Sequence, residues 1–453
     1  MTVLDVDVVV VGMGVGGEWT AECLATAGLS VAGVDNRLVG GECPYWGCVP
    51  SKMMIRAADL LAEGRRIPGM AGQAQVAPDW APVAQRIREE ATDDWDDKAA
   101  VDRFTGVGGQ FFRGQGRITG PREVTVGDQV LRAGRGIVLD TGTEPLVPPI
   151  HGLPGTPYWT NREAIEATAV PGSLVVIGAG AVGVELGQVF ARFGAQVTLV
   201  EGKGRLVPAE EVEACELLET VFARDGIDVR TGGMATAVRY RDGRFTVELD
   251  GGTKAVGEQL LIATGRRANL AGIGLGVLGL DEKLRAIPVD DHLRVAPGVW
   301  ALGDITGQGG FTHMAMYQAR IVVADILGAD VSPAEYHAVP RVTFTDPEIG
   351  SVGLTERQAR ERGLDVRTGY YPVPKSTRGW IHKAGNDGFI KLVADPARGI
   401  LVGATSVGPA GGEVLSMLTL AVHARVPVSR LREMIYAYPT FHRAIEAALE
   451  DLG

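Results

Sequence analysis

The segment Asp7-Val-Val-Val-Val-Gly12-Met-Gly14-Val-Gly16-Gly17 decides the fold of this chain of 453 residues. A run of β-branched residues leads directly into closely spaced glycines, and a helical stretch follows to about Ala27. A second apolar strand then ends at Asp35, about 20 residues after the glycines. A strand, a glycine turn, a helix and a strand that ends in an acid form the dinucleotide-binding fingerprint.

The three fingerprint glycines, Gly12, Gly14 and Gly17, are predicted to bind a cofactor. Glycine lets the backbone approach a pyrophosphate group at the N-terminus of the helix. The carboxylate of Asp35 can then hydrogen-bond to ribose hydroxyls. The structural alternative is a glycine-rich turn between strand and helix with no ligand.

The same unit recurs farther along the chain. The strand Leu174–Ile177 leads into Gly178, Gly180 and Gly183, and after a helix a second strand ends at Glu201. Two complete fingerprints predict two bound dinucleotides.

Glu201 bears on which nicotinamide nucleotide occupies the second site. Its carboxylate would bond the hydroxyls of an adenosine ribose and repel a 2′-phosphate, so NADH is favoured over NADPH. The basic residues Lys203 and Arg205 follow closely, and NADPH therefore stays possible.

The composition fits a globular protein that acts on small molecules. The net charge is 44 − 55 = −11, which disfavours nucleic acid and acidic membrane surfaces as partners. Apolar runs are broken by glycine and proline, and Asp5 and Asp7 interrupt the N-terminal one, so neither a membrane span nor a secretory signal is predicted. We expect a cytoplasmic protein.

Four cysteines in a chain of this length do not form a disulfide framework. Cys43 and Cys48 form a Cys-x4-Cys pair, and in a reducing compartment such a pair is catalytic or metal-binding more often than structural. Zinc would need two further ligands, which neither Cys23 nor Cys215 nor the scattered histidines supply at ligand spacing. No metal site is predicted.

The spacing of Cys43 and Cys48 predicts a broken helix between them. In a straight α-helix, residues five apart are separated by about 7.5 Å of rise, beyond the reach of a disulfide at about 7 Å. Pro44 and Gly47 could provide the break. Lys52 lies four residues after Cys48, which places it one turn along the same helix face.

The rest of the chain extends this α/β pattern. The charged segment Ala77–Ala100 predicts a helix, and strand-rich sequence follows. From about Tyr336 the pattern is α+β, with two predicted strands and two predicted helices, at Arg341–Phe344, Phe389–Val393, Gly412–Arg425 and Pro427–Met434. The predicted fold is therefore two Rossmann-like dinucleotide-binding domains and an α+β C-terminal domain.

Further motifs carry a resemblance to a known family. They are Ala263-Thr-Gly-Arg-Arg-Ala-Asn269, Trp300-Ala-Leu-Gly-Asp304 and the segment Val342–Glu356. With both fingerprints and the cysteine pair, they make essentially the whole chain similar to the flavoprotein pyridine-nucleotide disulfide oxidoreductases. This family contains dihydrolipoamide dehydrogenase, glutathione reductase and mercuric reductase.

The resemblance implies FAD on the first fingerprint, a nicotinamide nucleotide on the second, and a C-terminal dimerisation domain that makes a homodimer. The implied domains are the first part of an FAD domain at 1–148, an NAD(P) domain at 149–268, the second part of the FAD domain at 269–335, and the dimerisation domain at 336–453. It also adds further cofactor-binding residues, namely Gly41, Lys52, Gly142, Gly265 and Asp304.

The resemblance further implies a relay of two electrons. Nicotinamide delivers hydride to FAD, and the reduced flavin passes electrons to a Cys43–Cys48 disulfide. Cys48 would be the thiol that contacts the flavin, and Cys43 the thiol that meets substrate. Lys52 would pair with Glu185 and balance negative charge on the reduced flavin.

The chain departs from the family near its C-terminus. Members that reduce disulfides carry a His-Pro-Thr-x-x-Glu segment, whose His and Glu serve the partner subunit as acid and base. Here Tyr438 and Arg443 stand at those two positions. Tyrosine is a weak base at neutral pH, since its ordinary pKa is about 10. His442, with Glu446 one turn on, is the candidate replacement; an interface hydrogen bond is its structural alternative.

The sequence favours an NADH-preferring FAD enzyme that passes electrons through the disulfide to a disulfide-type acceptor. The altered C-terminal segment leaves other functions open. They are a reductase of quinones, a reductase of metal ions of the mercuric kind, and a redox-sensing dimer. The acceptor in each enzymatic case is a small molecule.

Overall fold

The computed structural model describes residues 2–453. The strands are β1 (Thr2–Val11), β2 (Val31–Asp35), β3 (Gln110–Arg113), β4 (Arg117–Gly120), β5 (Glu123–Val126), β6 (Gln129–Leu139), β7 (Thr143–Pro145), β8 (Ser173–Ile177), β9 (Gln196–Glu201), β10 (Asp228–Thr231), β11 (Ala235–Arg241), β12 (Arg244–Leu249), β13 (Lys254–Gly257), β14 (Gln259–Ile262), β15 (Arg266–Ala268), β16 (Arg294–Ala296), β17 (Val299–Ala301), β18 (Pro340–Thr343), β19 (Glu348–Gly353), β20 (Arg367–Pro372), β21 (Phe389–Asp395) and β22 (Ile400–Gly408). The α-helices are α1 (Val15–Thr26), α2 (Glu42–Tyr45), α3 (Cys48–Arg66), α4 (Ala81–Arg86), α5 (Lys98–Gly106), α6 (Asn161–Ile165), α7 (Ala181–Arg192), α8 (Val212–Arg224), α9 (Thr312–Leu327), α10 (Glu356–Glu361), α11 (Thr377–His382), α12 (Gly411–His423), α13 (Val428–Arg432) and α14 (Arg443–Asp451).

The chain divides into two compact units, each assembled from separate segments. The first contains residues up to 50, 85–146 and 266–336, and the second contains 51–84, 147–265 and 337–453. Within the described residues, no helix is both long and apolar enough to cross a membrane.

The first unit is built on an eight-stranded sheet with the order β16-β17-β6-β1-β2-β3, to which β5 and β4 add beside β6. The strands from β17 to β3 are parallel. Four successive valines at the end of β1, Val8 to Val11, are buried on both faces, as expected for a central parallel strand. One face packs against α1 and α9, and the other against a cluster that includes Ile118, Leu131 and Leu275.

The second unit contains three sheets. A parallel sheet has the order β10-β9-β8-β14, and all five residues of β8 are buried. An antiparallel sheet of three strands joins β11, β12 and β13. A five-stranded antiparallel sheet, with the order β18-β19-β22-β21-β20, packs against α12 and α14 through residues such as Leu418 and Leu449.

The predicted elements of both fingerprints are confirmed by β1, α1 and β2 and by β8, α7 and β9. The strands and helices predicted in the last third of the chain are confirmed by β18, β21, α12 and α13.

The helix predicted over Ala77–Ala100 is wrong. Here α4 passes into a π-helical turn, Ile87–Ala91, and the helical path then stops until α5 begins. The physical reason lies at Asp93, Asp94 and Trp95, three consecutive residues with positive φ, which a right-handed helix excludes.

Candidate redox site

The cysteine loop, Gly40–Cys48, contains the helix break that the cysteine spacing predicts. Helix α2 ends at Tyr45 and α3 begins at Cys48. A Cβ on Gly47 would lie 3.0 Å from the Glu42 carbonyl oxygen and 3.3 Å from the Cα of Cys43. Glycine therefore allows the start of α3 to approach the start of α2, which shortens the path between the two cysteines.

The thiols of Cys43 and Cys48 lie close enough to hydrogen-bond to each other. This hydrogen bond and burial raise the pKa of Cys43 far above its ordinary value. The hydroxyl of Thr312, the first residue of α9, lies 3.4 Å from the Cys48 Sγ. The structure thus brings together the dithiol predicted as the redox centre and adds Thr312 to it.

A groove of about 520 Å³ runs along one face of α9 from this point. The residues that line it are Thr312, His313, Met316, Tyr317 and Arg320. His313 stacks on Phe311 with ring centroids 5.1 Å apart, which fits a structural role for its imidazole.

The first glycine turn has the geometry of a dinucleotide site. A Cβ on Gly12 would lie 2.2 Å from the Asp140 carbonyl oxygen, and one on Gly17 would lie 2.0 Å from the Gly12 carbonyl oxygen. Gly14 is the N-cap of α1 and makes no side-chain cap, so amide N–H groups at this end of the helix can bind an anion. These residues fit the pyrophosphate of a dinucleotide such as FAD.

The other predicted residues of this site lie around the same turn. Asp35 accepts hydrogen bonds from the amides of Met13 and Arg37, both at 2.7 Å, and burial raises its pKa. A Cβ on Gly41 would lie 2.9 Å from the Gly14 Cα, so the cysteine loop starts against the glycine turn. Asp304 accepts a hydrogen bond from the Thr143 hydroxyl at 2.6 Å.

Two of the remaining predicted residues precede a pair of short strands. Gly142 lies one residue before β7, and Gly265 lies one residue before β15. These strands pair antiparallel, with Arg266 opposite Pro145.

Asp140 belongs to this turn, although the sequence analysis did not single it out. Its side chain is buried and accepts a hydrogen bond from the Gly17 amide at 2.7 Å. Burial raises its pKa well above the usual range. The sequence feature that could have indicated Asp140 is its position directly after a buried strand and close to Gly142. There the carboxyl end of β6 lies beside that of β1.

The second glycine turn repeats the first. A Cβ on Gly178 would lie 2.4 Å from the Ala263 carbonyl oxygen, and one on Gly183 would lie 1.9 Å from the Gly178 carbonyl oxygen. Open space surrounds Gly180, where α7 begins without a side-chain cap. Glu201 accepts hydrogen bonds from the amides of Ala179 at 2.7 Å and Lys203 at 2.8 Å, as Asp35 does at the first site.

Lys52 and Glu185 lie together in the second unit. Lys52 Nζ is 2.9 Å from Glu185 Oε2, and the Glu185 side chain is only 6% exposed. Glu185 also accepts a hydrogen bond from the Phe344 amide at 2.8 Å, and the ammonium lies 4.7 Å from the centre of the Phe344 ring. The carboxylate therefore fixes the position of the lysine on α3.

The altered C-terminal segment is differently arranged. The Tyr438 side chain is exposed, and the Arg443 guanidinium lies 5.4 Å from the centre of its ring. His442 stands immediately before α14. Glu446, the predicted partner of His442, forms an ion pair with Arg443 at 3.0 Å.

The first unit combines a parallel sheet, a glycine turn that leads into an uncapped helix, and a dithiol on the adjoining loop. These features define a nucleotide-dependent oxidoreductase with a dithiol centre. The family model described as pyridine nucleotide-disulphide oxidoreductase matches residues 6–319, and the model of its dimerisation domain matches residues 339–449. The chain belongs to the pyridine nucleotide-disulphide oxidoreductase family. It is an FAD-dependent enzyme of this family that uses pyridine nucleotides, and its dimerisation domain supports a homodimer.

Curated relatives and solved structures agree with this assignment. The chain is 33% identical to dihydrolipoyl dehydrogenase of Thermus scotoductus, with 98% of this chain and 97% of the relative covered. It is 32% identical to mercuric reductase of Acidithiobacillus ferrooxidans, with 93% and 78% covered. The structure of LpdA from Mycobacterium tuberculosis is similar with a TM-score of 0.87 at 26% identity, and 100% of both chains is covered. The Cu(II) complex of the HOCl-induced flavoprotein disulfide reductase RclA from Escherichia coli has a TM-score of 0.87 at 25% identity, with 99% of both chains covered.

The resemblance seen in the sequence, the fold class and the enzyme class are confirmed by these comparisons. The predicted domain boundaries and the roles of individual site residues stay predictions.

Proposed function

We propose that this enzyme transfers two electrons from NADH to its Cys43–Cys48 disulfide and from the resulting dithiol to a disulfide-type acceptor. The observation that carries the proposal is the hydrogen bond between the two thiols across the break from α2 to α3. When bound, FAD supplies the two-electron chemistry between nicotinamide and disulfide. The name of the dihydrolipoyl dehydrogenase relatives supports an acceptor of the disulfide class.

Two successive thiol–disulfide exchanges reduce the acceptor. The Cys43 thiolate attacks one sulfur of the acceptor, forms a mixed disulfide and releases the first thiol of the acceptor. The Cys48 thiolate then attacks Cys43 Sγ, releases the second thiol and re-forms the Cys43–Cys48 bond. The acceptor gains two electrons, and the enzyme dithiol loses them.

The raised pKa of Cys43 gives the two thiols different tasks. The hydrogen bond with Cys48 and burial raise the pKa of Cys43, and we assign Cys48 to the position beside the flavin and Cys43 to the exchange with the acceptor. Cys43 then needs a base before it can attack the acceptor. Tyr438 and His442 of the second subunit are the candidates for that role.

NADH is the proposed reductant because of Glu201. Its carboxylate lies at the end of β9, the position at which the dinucleotide fingerprint has an acid that bonds the ribose hydroxyls and disfavours a 2′-phosphate. The backbone amides of Ala179 and Lys203 each donate to one of its carboxylate oxygens, which supports a fixed orientation of the side chain.

Quinone reduction is the second candidate function. The observation that favours it is the ion pair of Glu446 with Arg443, which leaves this carboxylate engaged away from the imidazole of His442. An acceptor that takes electrons without thiol exchange needs no such acid–base pair.

A steady-state panel tests these proposals. Purified holoenzyme is assayed with NADH and NADPH against lipoamide, low-molecular-weight disulfides and quinones. We expect NADH to give the higher kcat/KM and a disulfide to be turned over. Cys43→Ser and Cys48→Ser should each abolish disulfide turnover, whereas the control Cys23→Ser should not. Two results together would overturn the disulfide proposal and establish quinone reduction. The unaltered enzyme would turn over no disulfide, and both serine variants would still reduce quinones.

A further inference from the structure

A strained turn lies beside the cysteine loop in the first unit. Asp93, Asp94 and Trp95 have φ values of 50°, 54° and 58°. Residues other than glycine rarely adopt this left-handed conformation, and those that do are usually single residues rather than runs. Three in succession persist only where surrounding contacts enforce them, and such strain is concentrated at functional sites.

Local hydrogen bonds hold the turn in this conformation. The Thr92 hydroxyl donates to the Ile87 carbonyl at 3.0 Å and accepts from the Trp95 amide at 3.4 Å. The Asp94 amide donates to the Arg88 carbonyl at 2.7 Å. The π-helical turn and the left-handed turn are therefore tied together, and the direction of the Trp95 side chain follows from both.

Two side chains of the segment Thr92–Asp97 bind the backbone within the cysteine loop and directly before it. The Trp95 indole Nε1 donates to the Tyr45 carbonyl at 3.3 Å. The Asp97 carboxylate accepts from the Val39 amide at 2.7 Å, directly before the loop begins. Cys43 thus lies between two points that the segment fixes.

The Tyr45 contact falls at the helix break. Tyr45 is the last residue of α2, and the final carbonyls of a helix lack helical donors. An indole N–H that binds this carbonyl stabilises the ended helix relative to one that continues through Trp46 and Gly47. A continued helix would separate Cys43 and Cys48 by about 7.5 Å of rise.

We propose that Trp95 is a positioning residue for the Cys43–Cys48 centre, and that its indole keeps α2 broken so that the two sulfurs stay within bonding reach. This role rests on the proposed function in one respect, namely that the Cys43–Cys48 disulfide forms. Reduction of the disulfide breaks the Sγ–Sγ bond, consumes two electrons and two protons and leaves two thiols. A contact that holds the thiols together raises their effective concentration and favours the disulfide side of this equilibrium.

The test is the dithiol–disulfide equilibrium of Trp95→Phe, which keeps an aromatic ring and loses the N–H donor. Holoenzyme is equilibrated without oxygen in mixtures of reduced and oxidised glutathione, which supply and accept the electrons. Acid quenching, alkylation and peptide mass spectrometry then give the oxidised fraction of the Cys43–Cys48 pair. We expect the equilibrium constant to shift about tenfold toward the dithiol, equivalent to about 30 mV.

Trp80→Phe is the matched control, because it removes an indole donor to a carbonyl elsewhere. Trp80 Nε1 donates to the Ala167 carbonyl at 2.8 Å in the second unit. This variant should keep the equilibrium within about twofold of the unaltered enzyme, or about 9 mV. The comparison separates a specific effect on the dithiol from a general loss of stability.

Asp97→Ala removes the hydrogen bond to the Val39 amide. It is the variant to measure if Trp95→Phe does not fold. Its shift should have the same direction. If the variants that fold still form the disulfide with the equilibrium constant of the unaltered enzyme, the positioning role is overturned and the proposed function is not affected. If the unaltered enzyme forms no Cys43–Cys48 disulfide in any of the mixtures, the proposed function itself fails.

Discussion

Asp140 shows how one buried carboxyl group can support a glycine turn through a hydrogen bond to the backbone. It accepts the Gly17 amide within the first turn of α1, where a helix otherwise lacks acceptors for its N–H groups. Desolvation opposes ionisation, so the folded protein holds the proton of Asp140 more tightly than the unfolded chain does.

Asp140→Asn should therefore change the pH dependence of stability. The folded-state pKa of Asp140 is raised, so its stabilising contribution is complete below the unfolded value of about 3.9 and falls as the pH rises through the folded value. Asparagine keeps an oxygen that accepts the Gly17 amide and has no such proton to lose. We expect the Tm of Asp140→Asn, minus that of the unaltered enzyme, to increase from pH 5 to pH 8.

Thermal unfolding of holoenzyme at several pH values checks this prediction. Asp128→Asn is the control, since it makes the same change of side chain at an exposed position. A difference for Asp140→Asn that falls or stays flat over the same range would contradict the prediction.

At the scale of elements, local patterns were predictable and long-range contacts were not. Both fingerprints could be predicted because glycine spacing and the alternation of strand and helix act within about 30 residues. The helix over Ala77–Ala100 was predicted wrongly because charge and helix propensity carry no sign of the left-handed turn at Asp93–Trp95. Asp140 and Trp95 were missed for a related reason: their partners Gly17 and Tyr45 lie 123 and 50 residues away in the chain.

The break between α2 and α3 depends on a close backbone approach at Gly47. An added Cβ would lie 3.0 Å from the Glu42 carbonyl oxygen, so Gly47→Ala must push the two segments apart. Overpacking of this kind costs about 1–3 kcal/mol, and we expect closure of the Cys43–Cys48 disulfide to slow about tenfold or more.

Stopped-flow oxidation of the reduced holoenzyme with oxidised glutathione measures this rate. Gly106→Ala is the matched control, because Gly106 ends α5 and a Cβ there would meet no atom within 4 Å. A closure rate for Gly47→Ala equal to that of Gly106→Ala would show that the approach at Gly47 is not needed for the bond.

At the scale of the whole molecule, large apolar side chains are left exposed in the dimerisation domain. Ile435 is 96% exposed, Trp380 69% and Leu420 63% in the single chain. Exposed apolar surface of this extent marks sites of association. Because the family places a dimerisation domain over residues 339–449, these residues are the candidates for contact with the second subunit.

Ile435→Asp should weaken the homodimer, since a buried charge at an interface core is costly without a partner. We expect its dissociation constant to rise at least about tenfold, or about 1.4 kcal/mol, in sedimentation equilibrium. Met234→Asp is the control, because Met234 is 63% exposed and lies outside the dimerisation domain.

If Tyr438 or His442 completes the site of the second subunit, disulfide turnover of Ile435→Asp should fall with the dimer fraction and recover at high protein concentration. Reduction of the Cys43–Cys48 pair by NADH should persist in the monomer, and turnover independent of the dimer fraction would contradict a shared site.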